Sequence, residues 1–290
     1  MIFLFFAIPA SIGIAAIFKV AGERNADRLT LIAVGYVVAA VLGLFVQALQ
    51  GDLAHLVDDR GLLIFGIVVG ASFVIGFTVF AWAIKLIGMA IVTGVARTSV
   101  VLPFLASWLV WNEVPSVPQV MGVIVAMVAF ALLARTVSRT GKDVRKGPMF
   151  KFIVLLGVFV LVGMADLAMK TFEVWYSEKF DASAFTFLVF GAAACFGMLA
   201  LVVRGVNNGH WPDRQSILWS TLLGVINYPS IDLLVRAAEV LPGTVAFPVN
   251  GIATTLGAAL LGVLVFKERL SRVNFLGLAL AGTALVLLNV

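Results

Sequence analysis

Charge is scarce in this chain. Asp, Glu, Lys and Arg together make up 12% of its 290 residues, against about 25% in a soluble domain. Apolar residues reach 62% and mean hydropathy is +1.12, which leaves too little polar side chain to coat a water-soluble globule. Cysteine is nearly absent: Cys195 stands alone inside an apolar run, which excludes an intrachain disulfide and a cysteine metal cluster. The two histidines, His55 and His210, fall in separate loops, so neither a metal site nor a histidine-based catalytic pair is expected. A Gly-x-x-x-x-Gly-Lys-Ser/Thr motif is missing too, and with it any ATPase of the chain's own. The start lacks a basic n-region and a small-residue cleavage site, so residues 2–20 read as a retained first span. No cofactor is implied.

What is present is hydrocarbon in lengths that suit a bilayer, which takes about 20 residues per helical crossing. Ten runs qualify: 2–20, 29–49, 61–84, 88–111, 117–134, 151–175, 184–204, 215–236, 241–266 and 272–290. The joins between them are short and hold no separate soluble domain. The expected fold class is therefore an all-α polytopic membrane protein with ten transmembrane helices.

The formal net charge is +5, and the basic residues sit in alternate joins rather than in a nucleic-acid-binding patch. One face collects Lys19, Arg24, Arg28, Lys85, the run Arg135 to Lys151, Arg204, Arg214, Lys267, Arg269 and Arg272; the other holds Arg60, Lys179 and Arg236. By the positive-inside rule the first face is cytoplasmic and both termini lie outside, in a bacterial or archaeal cell membrane. The densest basic stretch, 135–150, is a polar linker between halves 1–134 and 151–290.

Those halves resemble each other. A displacement of 155 residues matches Gly88 with Gly243, Glu113 with Glu268, Ser116 with Ser271 and Gly122 with Gly277; one of 151 pairs Lys19 with Lys170. Chance explains matched Leu and Ala in apolar helices, but not a Glu-x-x-Ser junction in both halves followed six residues later by Gly. Five helices per half make the second copy enter from the opposite side, so the repeats are expected to be inverted about an axis in the membrane plane. Transporters use that arrangement to expose one midplane site to each side in turn.

The junctions Trp111-Asn112-Glu113-Val114-Pro115-Ser116 and Phe266-Lys267-Glu268-Arg269-Leu270-Ser271, with Pro103 in the fourth run, resemble the drug/metabolite transporter superfamily, in its ten-helix EamA-like branch. The second half has Ala258 in place of that proline, and Asn112 stands where many members have Gly. The resemblance covers nearly the whole chain and implies two EamA-like repeats. It marks fold and not substrate, and it places the fourth and ninth helices beside the substrate path.

Ionisable groups inside a span cost about 2.5–3.5 kcal/mol each on insertion scales and so mark function or pairing. Arg97 lies near the middle of the fourth run and has no acid three or four residues away. Asp166, Lys170 and Glu173 share one face of the sixth run; Asp232 and Arg236 share one face of the eighth. Thr93, Asn227, Tyr228 and Asn250 are polar neighbours at similar depth. Arg97, Thr93, Asn227, Tyr228 and Asn250 form the expected substrate-binding set, with Asp166, Asp232 and Lys170 as proton-coupling or ion-pairing groups. The competing readings are ordinary ones. Lys19 and Lys170 snorkel to the headgroups, Glu113 and Glu268 brace helix junctions, and the two aspartates pair with the base one turn on. Phe73, Phe77, Tyr228 and Phe247 simply pack. Pro229, Pro242, Pro248 and Gly251 punctuate the eighth and ninth runs, where broken helices expose carbonyls.

The function expected is secondary transport of a small organic metabolite or drug-like solute, anionic or zwitterionic, driven by an ion gradient or exchange. The chain is not expected to be an enzyme. Alternatives are a lipid flippase or an intramembrane lipid-modifying enzyme. Lipid surrounds the chain in each reading, and a homodimer is compatible with all of them. The orientation has a direct check. With Cys195→Ser as background, a membrane-impermeant maleimide added to intact cells should label a cysteine placed at Asp58 and spare one at Thr140; the opposite pattern would invert the topology.

Overall fold

The computed structural model describes residues 2–50, 59–112, 114–140, 147–240, 243–268 and 270–288. His55, Asp58, Glu113, Pro242 and residues 141–146 of the linker lie outside them, as do the side chains of Arg236, Phe247 and Pro248. Among the described residues there are eleven helices and no strand: α1 (Ile2–Glu23), α2 (Arg28–Gln50), α3 (Arg60–Ile87), α4 (Met89–Thr98), α5 (Val101–Leu109), α6 (Val117–Thr140), α7 (Pro148–Tyr176), α8 (Ala182–Asn208), α9 (Arg214–Val240), α10 (Gly243–Leu264) and α11 (Arg272–Leu288). Seven stretches are long and apolar enough to cross a membrane: α1, α2, α3, α4 with α5, α7, α8 and α9. Shorter apolar stretches in α6, α10 and α11 occupy the remaining three places. Large apolar side chains such as Phe5, Phe45, Ile64 and Leu109 point outward along these helices. A water-soluble surface does not carry so much exposed hydrocarbon. The protein is an all-α polytopic membrane protein.

The fourth apolar run is not one helix. Pro103 has no N–H, so the Ser99 carbonyl loses its partner four residues on, and the proline ring crowds that same carbonyl. Ser99 accepts instead from the Leu102 N–H at 2.9 Å, and the chain turns at Ser99–Val100. The Thr98 and Ser99 hydroxyls donate back to the Val95 and Ala96 carbonyls at 2.7 and 2.6 Å, closing the end of α4. Pro229, expected to punctuate the eighth run, leaves α9 unbroken. α9 packs against both α1 and α2 along its length and continues through the proline.

Helix contacts recur with the halves exchanged. α2 packs on α9 as α8 packs on α3, α1 on α9 as α7 on α3, and α1 on α10 as α7 on α4 and α5. The pairs α2 with α8 and α6 with α11 are their own counterparts. The closest approaches recur too. A Cβ on Gly70 would lie 2.6 Å from the Ala192 Cβ and 2.7 Å from the Val189 carbonyl oxygen. A Cβ on Gly224, 154 residues later, would collide with Val38 and with the Gly35 carbonyl, each 154 residues before its counterpart.

Helix ends follow the same displacement. Asp59 caps α3 by accepting the Leu62 N–H at 3.0 Å, and Asp213 caps α9 by accepting the Ser216 N–H at 3.0 Å. Asn112 and Lys267 both adopt left-handed φ, 55° and 51°. Ser116 and Ser271 then accept the N–H three residues on, from Gln119 and Asn274. The Glu-x-x-Ser motif is thus in part a helix-cap signal, with serine satisfying a donor that the helix start leaves free.

A charged knot ties α2, α8 and α9 together at one end. Arg204 of α8 grips Asp27 through both terminal nitrogens at 2.6 Å each, and Asp27 caps α2 through Thr30. The Asp27 N–H in turn donates to the Ser216 hydroxyl at 2.8 Å. Burial alone would raise the Asp27 pKa, but hydrogen bonds from Arg204 and Thr30 and the nearby guanidinium charge outweigh it, and take it from 3.8 to about 2. A depressed folded-state pKa adds stability above the unfolded value and loses it as pH falls through the folded one. The Tm of detergent-purified protein should therefore exceed that of Asp27→Asn by a constant margin above pH 5, a margin that shrinks between pH 4 and 2. A margin flat across that range would remove the pairing from the stability balance. Packing has its own check. Gly70→Ala and Gly224→Ala should each cost about 1–3 kcal/mol through overpacking. Gly191→Ala, which meets nothing within 4 Å, should be neutral or stabilising.

Candidate functional site

α4 spans ten residues, roughly 15 Å at 1.5 Å per residue, and every one of them except Arg97 is buried. A helix this short is dominated by its ends, where unpaired N–H and C=O groups leave partial charges of opposite sign. The end at Gly88 receives a carboxylate. Glu268, on the loop between α10 and α11, accepts the Met89 and Ala90 N–H groups at 2.9 and 3.2 Å. Lys19 of α1 donates to the same carboxylate at 2.7 Å. The approach depends on small residues: Gly88 takes φ 123°, and a Cβ on Gly88 or Gly262 would stand 3.2 or 2.8 Å from Glu268. Lys19 is only 7% exposed. The expectation that it snorkels is overturned, because a carboxylate is present inside the bundle to receive it. Glu268 does brace a junction, across the two halves of the chain.

The other end of α4 carries Arg97, a cation where the helix dipole is negative. Across from it runs α7, brought close by Gly163, where a Cβ would lie 2.9 Å from the Ser99 carbonyl oxygen. One turn beyond Gly163 is Asp166, which interacts electrostatically with Arg97. Among the described residues no hydrogen bond and no ion pair within 4.0 Å joins the two. The Asp166 side chain is exposed.

The remaining candidates separate. Thr93, one turn before Arg97, donates to the Met89 and Ala90 carbonyls of its own helix at 2.8 and 3.2 Å. Asn250, on the adjoining α10, is 2% exposed, and its Oδ1 accepts no hydrogen bond from the described residues; the Thr254 hydroxyl one turn on is likewise unpartnered among them. Asn227 is buried in α9, and its carbonyl accepts the Ser230 hydroxyl at 2.7 Å. Tyr228 faces the other way, packed on Gly43 of α2 and on the Phe190 ring of α8. Phe73 and Phe77 belong to the same aromatic packing with Tyr36 and Phe18. Asp232 is half-buried on α9. Lys170 reaches Glu173 of its own helix at 3.4 Å.

The structure thus joins Arg97, Asp166 and the break at Ser99, with Asn250 on a neighbouring helix. The Lys19–Glu268 pairing and the Asp27–Arg204 knot were not legible in the sequence, since their partners stand 249 and 177 residues apart. At the far end of α5 a cleft of about 260 Å³ opens among Phe104, Ser107, Trp108, Val114, Pro115 and Gln119.

Known proteins resemble this chain. Residues 1–135 match the EamA-like transporter family. The chain is 27% identical over 295 residues to a Haemophilus influenzae protein described only as uncharacterized, an alignment covering 97% of this chain and 95% of that one. A solved structure described simply as the crystal structure of a protein superposes with a TM-score of 0.61 at 16% identity, covering 96% of this chain and 95% of its own. At that identity the likeness is one of fold alone.

Proposed function

We propose that this chain, which its EamA-like residues 1–135 make a member of the drug/metabolite transporter superfamily, carries a small organic solute with an anionic or zwitterionic group across the cell membrane by alternating access. Membrane transport of small solutes is the activity of the family. The finer reading rests on one observation: Arg97 stands at the broken centre of the fourth span, facing Asp166 without an ion pair among the described residues.

A guanidinium keeps its charge at such depth and presents a planar fork suited to carboxylate or phosphate. Asp166 opposite supplies a place for a substrate ammonium or a coupled proton, and Asp232 is a second candidate for the proton. Asn250 adds a buried carbonyl oxygen on the neighbouring helix. The two halves, 1–134 and 151–290 joined by the linker 135–150, are read as inverted repeats. The exchanged helix contacts and the paired Gly70 and Gly224 approaches support that relation. Orientation, with the basic linker cytoplasmic and both termini outside, rests on the charge asymmetry of the joins.

The test is counterflow in proteoliposomes, after a thermal-shift screen of amino acids, organic acids and organic phosphates has picked the solute. Loss of hydrogen bonds to a charged group costs about 1.5–3 kcal/mol. Arg97→Gln should therefore reduce transport of that solute about 10- to 100-fold, and Arg97→Lys, which keeps charge and loses the fork, by less. Asp166→Asn should lose gradient-driven uptake and retain exchange. Normal membrane levels of Arg97→Gln with wild-type transport would remove Arg97 from the site.

A further inference from the structure

We infer that Lys19 and Glu268 form a gate latch that holds one end of the transport path shut and ties its opening to the position of Arg97; the inference rests on the alternating-access reading above. The latch joins the halves of the chain. Lys19 comes from α1 and the bound N–H groups from the start of α4, both in the first half, while Glu268 comes from the second. No rocking of one half against the other can open this end without breaking that carboxylate's contacts.

Packing shows the same end closed. α1 packs on α3 and α4, and α4 packs on α11. Further contacts lie beside the latch. A Cβ on Gly22 of α1 would stand 3.7 Å from the Lys85 side chain, and the Lys85 ammonium donates to Asn25 at 3.2 Å. These contacts close the end that holds Lys19, Gly88 and Glu268.

The coupling runs through α4. Its first N–H groups are held by Glu268, and Arg97 sits seven residues further on, just before the break at Ser99. The ladder thins at the break, where the Ser99 carbonyl takes the Leu102 N–H in place of a partner four residues on, and there α4 would bend against α5. Releasing Glu268 frees the Gly88 end, and the movement is delivered to Arg97. Engagement of Arg97 by an anion would bias the same helix in return, since coupling between two sites is reciprocal.

The experiment reads accessibility at both ends of the path and needs no identified substrate. In a Cys195→Ser background, single cysteines are placed at Ala15, one turn before Lys19 and 2% exposed, and at Ser107 in the cleft at the far end of α5. Purified protein in nanodiscs, where a water-soluble methanethiosulfonate reaches both faces, should react quickly at position 107 and slowly at position 15. Lys19→Met and Glu268→Gln should each raise the rate at position 15 about tenfold, a shift of the size typical of allosteric coupling, and lower the rate at position 107. Lys19→Arg should behave like the wild type. A rise at both positions would mean general loosening and overturn the latch, as would unchanged rates in folded variants. Because labelling is read without transport, a failed latch with intact counterflow leaves the transport proposal standing.

Discussion

Two charges at the ends of one short helix organise this protein. α4 has ten residues, and at its Arg97 end Pro103 removes the next rung of the ladder, leaving the Ser99 carbonyl to the Leu102 N–H three residues on. An isolated helix of that length is marginal, and burial in an apolar bundle makes its bare ends costlier still. Glu268 with Lys19 satisfies one end; Arg97 and the hydroxyls of Thr98 and Ser99 answer the other. The broken span persists because these groups replace the bonds that an unbroken helix would have made.

The same economy sets the helix contacts. Between helices in a membrane the hydrophobic effect supplies little drive, so close backbone approach at small residues takes its place. Gly70 and Gly224 admit α8 and α2 to distances that any side chain would forbid. Gly163 brings the break at Ser99 against α7, and that contact carries Asp166 up to Arg97. Packing and chemistry are therefore not separate layers here: a glycine placed for contact also determines which acid an arginine faces.

Much of the architecture was visible in the residue order. Apolar runs of bilayer length with short joins define a helical membrane protein, and the two Glu-x-x-Ser junctions mark where the last helix of each half begins. The structure gave that motif its physical content, with Ser116 and Ser271 as helix caps and Asn112 and Lys267 as left-handed turns. The expectations that failed were local ones. Lys19 was read as a snorkelling residue because it lies near the end of a span, whereas it pairs with Glu268 inside the bundle. Pro229 was read as a breaker and Pro103 as a family mark, yet α9 continues and the fourth span divides. A proline's effect depends on what stands ready to take the orphaned carbonyl, and periodicity does not reveal it.

By itself the sequence determined what solvent this chain must fold in, where its spans begin, and which groups are too polar to be placed at depth without a partner. These follow from composition and spacing, because the cost of an unpaired polar group in hydrocarbon is set one residue at a time. Only the tertiary structure decided which partner each group takes. Lys19 with Glu268, Asp27 with Arg204, and Arg97 facing Asp166 join residues that no helical period connects. Each pairing is fixed by which helices pack and at which small residue they touch, and that is a property of the assembled bundle.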